Sequence, residues 1–165
     1  MNVCYSNRDI DQKLGGNVKV ITYKELLNYK TLDEALGNHG AFVILYEQER
    51  NFGHWCCGFL NDGVFYFFDS YGIIPDEQLK EIDPKFRMKS GQDFKYLTYL
   101  MKNSPYEIDY SPYQFQDDQE GINTCGRWCV ARIKNKDLDA DEFYDLFTGD
   151  NIDADELVVD YTDDL

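Results

Sequence analysis

Asn61-Asp62-Gly63 separates two runs, residues 54–60 and 64–70, that are rich in aromatic and β-branched side chains. Asp-Gly supplies the two positive-φ positions of a type I′ turn, so the stretch predicts a β-hairpin with a two-residue loop. That loop length fixes the register: Asn61 faces Val64 and Cys56 faces Asp69. Side chains alternate faces along a strand, which puts His54, Cys56 and Asp69 on one face. His54 is then the diagonal neighbour of Asp69, with Cβ atoms about 7–8 Å apart or less. An imidazole–carboxylate hydrogen bond is allowed, and a one-residue slip would place the two on opposite faces. The plainer reading is that Asp69 only ends its strand and opens the turn Ser70-Tyr71-Gly72.

The rest of the chain supplies a sheet and helices around that hairpin. Ala41-Phe42-Val43-Ile44-Leu45-Tyr46 is a continuous apolar run of strand length, the pattern of a buried central strand. Shorter strands are predicted over residues 18–22 and 106–110. Thr22-x-x-Glu25 and Thr31-x-x-Glu34 are capping-box patterns ahead of short helices. Further helices are predicted over residues 6–14, 73–82, 92–102 and 139–148, the second of them broken by Asp83-Pro84. Without repeats or a clean linker, 165 residues predict a single α+β domain over residues 1–149. With 13 Tyr and 11 Phe, the chain has the apolar surface to build a core.

Charge sets the last segment apart. The net charge of -15 is concentrated in residues 137–165, which hold 12 acids and no Lys or Arg. The preceding residues carry 16 basic and 19 acidic side chains. Nucleic acid as the main ligand is disfavoured, because phosphate binding needs clustered positive charge. Residues 150–165 read as an acidic C-terminal tail, either solvated or docked in a basic cleft to regulate access. No apolar run approaches a membrane span, and Met1-Asn2-Val3-Cys4 lacks a signal-peptide pattern. Five cysteines in no disulfide framework indicate reduced thiols. The expectation is a soluble, intracellular monomer.

Cys125 is the best-placed thiol. Asn123 and Thr124 are both N-cap types, and Trp128-Cys129-Val130-Ala131-Arg132-Ile133 continues as an apolar helical segment. Cys125 falls in the first turn, where unpaired N–H groups and the macrodipole favour an anion and make a thiol more acidic. Placement alone leaves open that it is a small buried hydrophobe. The chain has only two histidines, His39 and His54, and both precede Cys125. The order is therefore His, acid, Cys, and a papain-type order of Cys before His is impossible for this cysteine. Cys4 followed by His54 and Asp69 would satisfy that order from a chain end that can fray. In the favoured arrangement Cys125 attacks a carbonyl, His54 handles the proton and Asp69 orients the imidazole. An oxyanion donor would come from the Cys125 N–H and a glutamine amide; Gln114, Gln116 and Gln119 all lie upstream.

Here the residues resemble a known family. His54-Trp55, then Phe67-Phe68-Asp69-Ser70, then Gln119 separated by five residues from Cys125-Gly126 are similar to the adenovirus-protease and ubiquitin-like-protein-specific (Ulp/SENP) cysteine peptidases. The likeness spans residues 41–133. It implies a papain-like cysteine peptidase fold of the adenain/Ulp type, in which a small mixed sheet packs on the Cys helix. It implies His54, Asp69, Gln119 and Cys125 as catalytic residues and peptide or isopeptide hydrolysis, commonly next to glycine. The family holds two jobs, maturation of viral capsid precursors and removal of ubiquitin-like modifiers. The compact chain and the lack of a tryptophan outside the two motifs favour the first, with a capsid or virion precursor as protein substrate and a ubiquitin-like conjugate as the alternative. That branch implies work in the host cytoplasm or nucleus and in the virion. The adenoviral enzyme is basic and uses DNA and a disulfide-linked peptide; the acidity here argues against a DNA cofactor, and no cofactor is expected.

Two rival readings remain. His54, Cys56, Cys57, Cys125 and Cys129 are potential zinc ligands, but the chain lacks a C-x2-C pair. A non-catalytic binding module of the same fold would have lost at least one role-bearing residue type, and all four are present.

Overall fold

The computed structural model describes residues 4–165, so the signal-peptide reading of Met1-Asn2-Val3 lies outside the described residues. Five strands form one mixed sheet in sequence order: β1 (Lys19–Thr22), β2 (Ala41–Glu49), β3 (Phe52–Asn61), β4 (Val64–Phe68) and β5 (Glu107–Tyr110). The outer pairs β1–β2 and β4–β5 are parallel; the inner pairs are antiparallel. The class is α+β.

The hairpin has the register its turn dictates. Asp62 and Gly63 have φ of 52° and 79°, and Asn61 pairs with Val64, Phe59 with Tyr66 and Cys57 with Phe68. Pairing with β4 stops there, so β3 is open beyond Cys57 on that side. On the other side His54 pairs with Tyr46 of β2, next to a β-bulge between Glu47 and Glu49. Gly53 sits in that bulge, where a Cβ would lie 1.9 Å from the Tyr46 carbonyl oxygen.

Each face of the sheet is covered. Val43, Leu45, Trp55, Cys57, Phe59 and Phe68 point to one core, shared with helix α1 (Asn7–Lys13) and helix α6 (Cys125–Lys134). Phe42, Ile44, Tyr46, Cys56, Phe65 and Phe67 point to the other, closed by α2 (Tyr23–Leu26), α3 (Leu32–Leu36), a 3-10 helix (Glu77–Glu81) and α5 (Tyr96–Lys102). The helix starts follow the capping chemistry. Ser6 with Asp9 and Thr22 with Glu25 form complete capping boxes, and Thr31 accepts from the Glu34 N–H.

Three expectations are corrected. Residues 73–82 hold only the 3-10 helix, because Asp76 adopts φ 68° and turns its carboxylate inward. There it accepts from the Tyr23 and Tyr46 hydroxyls (3.0 and 2.9 Å) and from the Thr98 N–H and hydroxyl (2.8 and 2.6 Å). Four donors on one buried carboxylate outweigh the small helix propensity of that stretch. Asp83-Pro84 starts a helix rather than only ending one: Asp83 caps α4 (Pro84–Lys89), with Pro84 at the first helical position. The helix expected over residues 92–102 shortens to α5, leaving Phe94 exposed.

The acidic end is folded. After α7 (Ala140–Phe147), residues Ala154–Asp163 form α8, which packs on α6. Ala154, Leu157, Val158 and Tyr161 recur at helical spacing on its inner side, and Val158 is fully buried. Glu156 and Asp160 are exposed while Asp155 is buried, and a charge count alone cannot see that division. No helix among the described residues is long and apolar enough to cross a membrane.

Candidate active site

His54 and Asp69 meet across the open end of the hairpin. His54 Nε2 lies 2.9 Å from Asp69 Oδ1, with His54 7% and Asp69 1% exposed. Asp69 is the residue immediately after β4, so it leaves the ladder and swings under β3. Its Oδ1 also accepts from the Tyr71 N–H at 2.8 Å, and Gln78 Nε2 approaches Oδ2 at 3.4 Å. The carboxylate is held before any substrate arrives. With Nε2 engaged, the other ring nitrogen, Nδ1, is left for a second partner, and the Cys125 side chain is near enough to raise the pKa of the imidazole.

Cys125 is the first residue of α6, with Thr124 as N-cap. Its sulfur accepts the Trp55 N–H at 3.5 Å. Ser70 would face Trp55 if β4 continued, so the end of strand pairing leaves this N–H for the thiol. The first N–H groups of α6 have no intrahelical acceptor, and the positive end of the helix dipole lies at the same place. Thr124 does not cap with its side chain; its hydroxyl donates to Asp155 instead.

The electrostatics favour a charged imidazole. Burial opposes the imidazolium, but the hydrogen bonds to Asp69 and Cys125 and the charges of both raise the His54 pKa from 6.5 to about 10. The Tyr71 ring stacks on the imidazole, centroids 4.8 Å apart and planes within 15°. His39, by contrast, is exposed in the turn between α3 and β2.

No family model matches the chain. It is 42% identical over 142 residues to "Uncharacterized protein V9" of Sputnik virophage, a match covering 86% of this chain and 81% of the relative. The chain belongs to the family of this virophage V9 protein. Among solved structures, the central domain of the uncharacterized Lpg1148 protein from Legionella pneumophila aligns with TM-score 0.43 and 13% identity, covering 98% of this chain and 96% of that one. ChlaDub1 from Chlamydia trachomatis aligns with TM-score 0.41 and 13% identity, covering 96% and 72%. Both scores are low, and the chemistry of this V9-family chain rests on its own residues.

The other expected residues separate cleanly. Gln114 and Gln116 are committed: Gln114 Nε2 donates to the Gln116 carbonyl, while Gln116 accepts from Ser70 Oγ (2.7 Å) and donates to the Ile122 carbonyl (3.1 Å). Gln119 is exposed, and its side chain makes no hydrogen bond to the other three residues among the described residues. Its backbone carbonyl accepts from the Ile122 N–H in the turn before α6. Cys4 is exposed, and partial burial, Cys125 and Asp9 push its thiol pKa up. Cys57 and Cys129 are fully buried in the core beneath α6.

A metal is the other chemistry to test here. His54, Cys56 and Asp69 offer ligand atoms within 4.8 Å of one another, all three buried. Binding would require opening the 2.9 Å His54–Asp69 hydrogen bond and ionising Cys56. Burial, then the charges of Asp69 and Cys125, push the Cys56 thiol well up, which disfavours the thiolate that a metal would need. The three therefore fit a hydrogen-bonded network better than a metal centre.

Tyr71, Gln78 and Cys56 complete the surroundings of the pair. Tyr71 could have been noticed as an aromatic in a turn two residues past the acid; Gln78 carries no local signal. A cleft of about 480 Å³ reaches Trp55 from the side of Tyr5, Val20, Thr22, Asn51 and Phe52. His54, Asp69 and Cys125 are not among its lining residues; Trp55, whose backbone N–H meets the Cys125 sulfur, is.

Proposed function

We propose that this chain is a cysteine endopeptidase with Cys125 as nucleophile, His54 as base and acid, Asp69 as the orienting acid and Gln119 as oxyanion donor. The observation that carries the reading is the buried His54 Nε2–Asp69 Oδ1 bond, with a cysteine at a helix start near enough to raise the imidazole's pKa. The Cys125 thiolate adds to the carbonyl carbon, forming the C–S bond. The developing oxyanion is met by the Cys125 N–H and the Gln119 amide, once the exposed loop carrying Gln119 closes over substrate. The imidazolium of His54 gives its Nδ1 proton to the leaving amine as the C–N bond breaks. Water then adds to the thioester as His54 takes its proton, and the sulfur leaves as thiolate, which restores the Cys125 thiolate–His54 imidazolium pair.

Resemblance to the adenain/Ulp peptidases supports this reading and the corresponding papain-like fold. The virophage relative supports a viral setting, and the reading within it is capsid or virion precursors as substrate, cut next to glycine, in the infected cell and in the particle. The test is incubation of the purified protein with virion precursor proteins and, in parallel, ubiquitin-like conjugates, with new termini mapped by mass spectrometry. Cleavage next to glycine in a precursor, absent with Cys125→Ala, is the expected result. Cleavage of conjugates alone would move the chain to modifier removal. Turnover by Cys125→Ala equal to wild type would overturn the assignment.

A further inference from the structure

The acidic C-terminal helix reaches the nucleophile through one buried side chain. Asp155, 3% exposed in the first turn of α8, accepts from the Thr124 hydroxyl at 2.6 Å and from Trp128 Nε1 at 3.1 Å through Oδ1. Its Oδ2 accepts from the Asp117 N–H at 2.9 Å. Thr124 directly precedes Cys125, and Asp117 lies two residues before Gln119. One carboxylate thus fastens both ends of residues 117–124, the stretch that carries Gln119 and leads into the nucleophile. The other end of α8 is held as well, by Arg127 of α6, whose Nη1 donates to Thr162 (2.8 Å) and Asp163 (2.7 Å).

We propose that Asp155 is a positioning residue for the reaction, a clamp that sets the spacing between the Gln119 loop and Cys125, so that the acidic helix α8 is a working part of the active site. The inference rests on the peptidase reading above. Its physical basis is the number of acceptors. Two separate oxygens are used, each in a different direction. An amide has only one acceptor oxygen, so Asp155→Asn can keep the Thr124 and Trp128 side or the Asp117 side, but not both. The other side would be left with two donors facing each other. The shape is kept and the clamp is opened. Thr124→Val removes the same tie from the opposite partner with little change in volume, and Thr124→Ser restores the hydroxyl. A misplacement of the loop by about 1 Å costs on the order of 100-fold in rate.

The experiment measures kcat and KM for Asp155→Asn, Thr124→Val and Thr124→Ser in the full chain, with reactive Cys125 titrated by alkylation so that rates refer to folded sites. Asp117 amide exchange is followed by NMR on the same proteins. The expected result is a kcat lowered about 10- to 100-fold for Asp155→Asn and Thr124→Val with KM little changed, recovery in Thr124→Ser, and faster Asp117 exchange in Asp155→Asn. Wild-type kcat per titrated site in both defective variants overturns the clamp while leaving the peptidase reading intact. Should no substrate be cleaved, the exchange measurement still decides: an Asp117 amide as protected in Asp155→Asn as in wild type overturns it.

Discussion

His54 Nε2 and Asp69 Oδ1 sit 2.9 Å apart because β4 ends one residue before the acid, freeing Asp69 to turn toward a histidine three positions beyond the last residue of β3 that pairs with β4. The bond is buried at both ends and backed by the Tyr71 N–H, so it is present without substrate.

On the peptidase reading, Asp69→Asn should therefore disable catalysis without unfolding the protein. His54 and Tyr71 share Oδ1, so an asparagine oxygen can still meet both, but the neutral amide removes the negative charge that supports the imidazolium and turns its N–H groups toward the Gln78 amide. The wrong tautomer or orientation of the base costs on the order of 10⁴ in kcat where such an acid has been replaced by its amide. A drop of that kind is expected here, with a circular dichroism spectrum like wild type. A variant within about threefold of wild-type kcat would show that Asp69 only terminates its strand.

The raised His54 pKa makes a prediction about stability. The folded value, about 10, lies above the ordinary 6.5, so the folded protein holds this proton more tightly than the unfolded chain. The stabilisation from the pair is fully present below pH 6.5 and is lost as the pH rises through about 10. Other groups titrate in that range, so the useful quantity is the difference in urea midpoint between wild type and His54→Gln. That gap should narrow steadily from pH 6.5 to 10. A gap that stays flat or widens would mean that the imidazole is neutral in the resting protein.

Two glutamines should separate structure from catalysis. Gln116 ties Ser70 to Ile122 and is 2% exposed, so Gln116→Ala leaves buried partners unsatisfied and should cost about 1–3 kcal/mol in denaturant unfolding. Gln119 is exposed with no side-chain partner among the described residues, so Gln119→Ala should leave stability within about 0.5 kcal/mol of wild type. Its kcat should fall about 10²- to 10³-fold, the usual loss for one oxyanion donor. Equal stability losses for both, with kcat for Gln119→Ala unchanged, would remove Gln119 from the site.

What was legible in the sequence was local. Asp62-Gly63 fixes a register through two positive-φ residues, and from it the juxtaposition of His54, Cys56 and Asp69 follows by alternation. The start of α6 at Cys125 follows from polar residues giving way to an apolar helical run. The roles of Asp76 and Asp155 were not legible. Asp76 gives up a helix to bind Tyr23, Tyr46 and Thr98, which come from three separate elements. Asp155 bonds Thr124, 31 positions away, and in sequence it is one acid among many in a segment whose charge suggested solvent. The cost of a buried carboxylate is met by donors that only the tertiary fold brings together, so neither residue differs locally from a surface acid.

Gly53 links the fold to the site, and Gly53→Ala should show it. The residue precedes His54 and lies in the β2–β3 bulge, where an added Cβ would sit 1.9 Å from the Tyr46 carbonyl oxygen and 2.9 Å from the Glu47 Cα. Both obstacles are backbone in a paired ladder, so neither can rotate away as a side chain could. The strand must shift, at a cost of about 3 kcal/mol in urea unfolding. Because His54 is the next residue, the same shift moves the imidazole away from Asp69 and Cys125. The expected outcome is a lower kcat per titrated Cys125 as well as a lower unfolding midpoint. Lost stability with fully retained kcat would mean that the bulge deforms toward Asn51 and leaves His54 in place, and His54 would then be held by Asp69 and Tyr71 rather than by its strand.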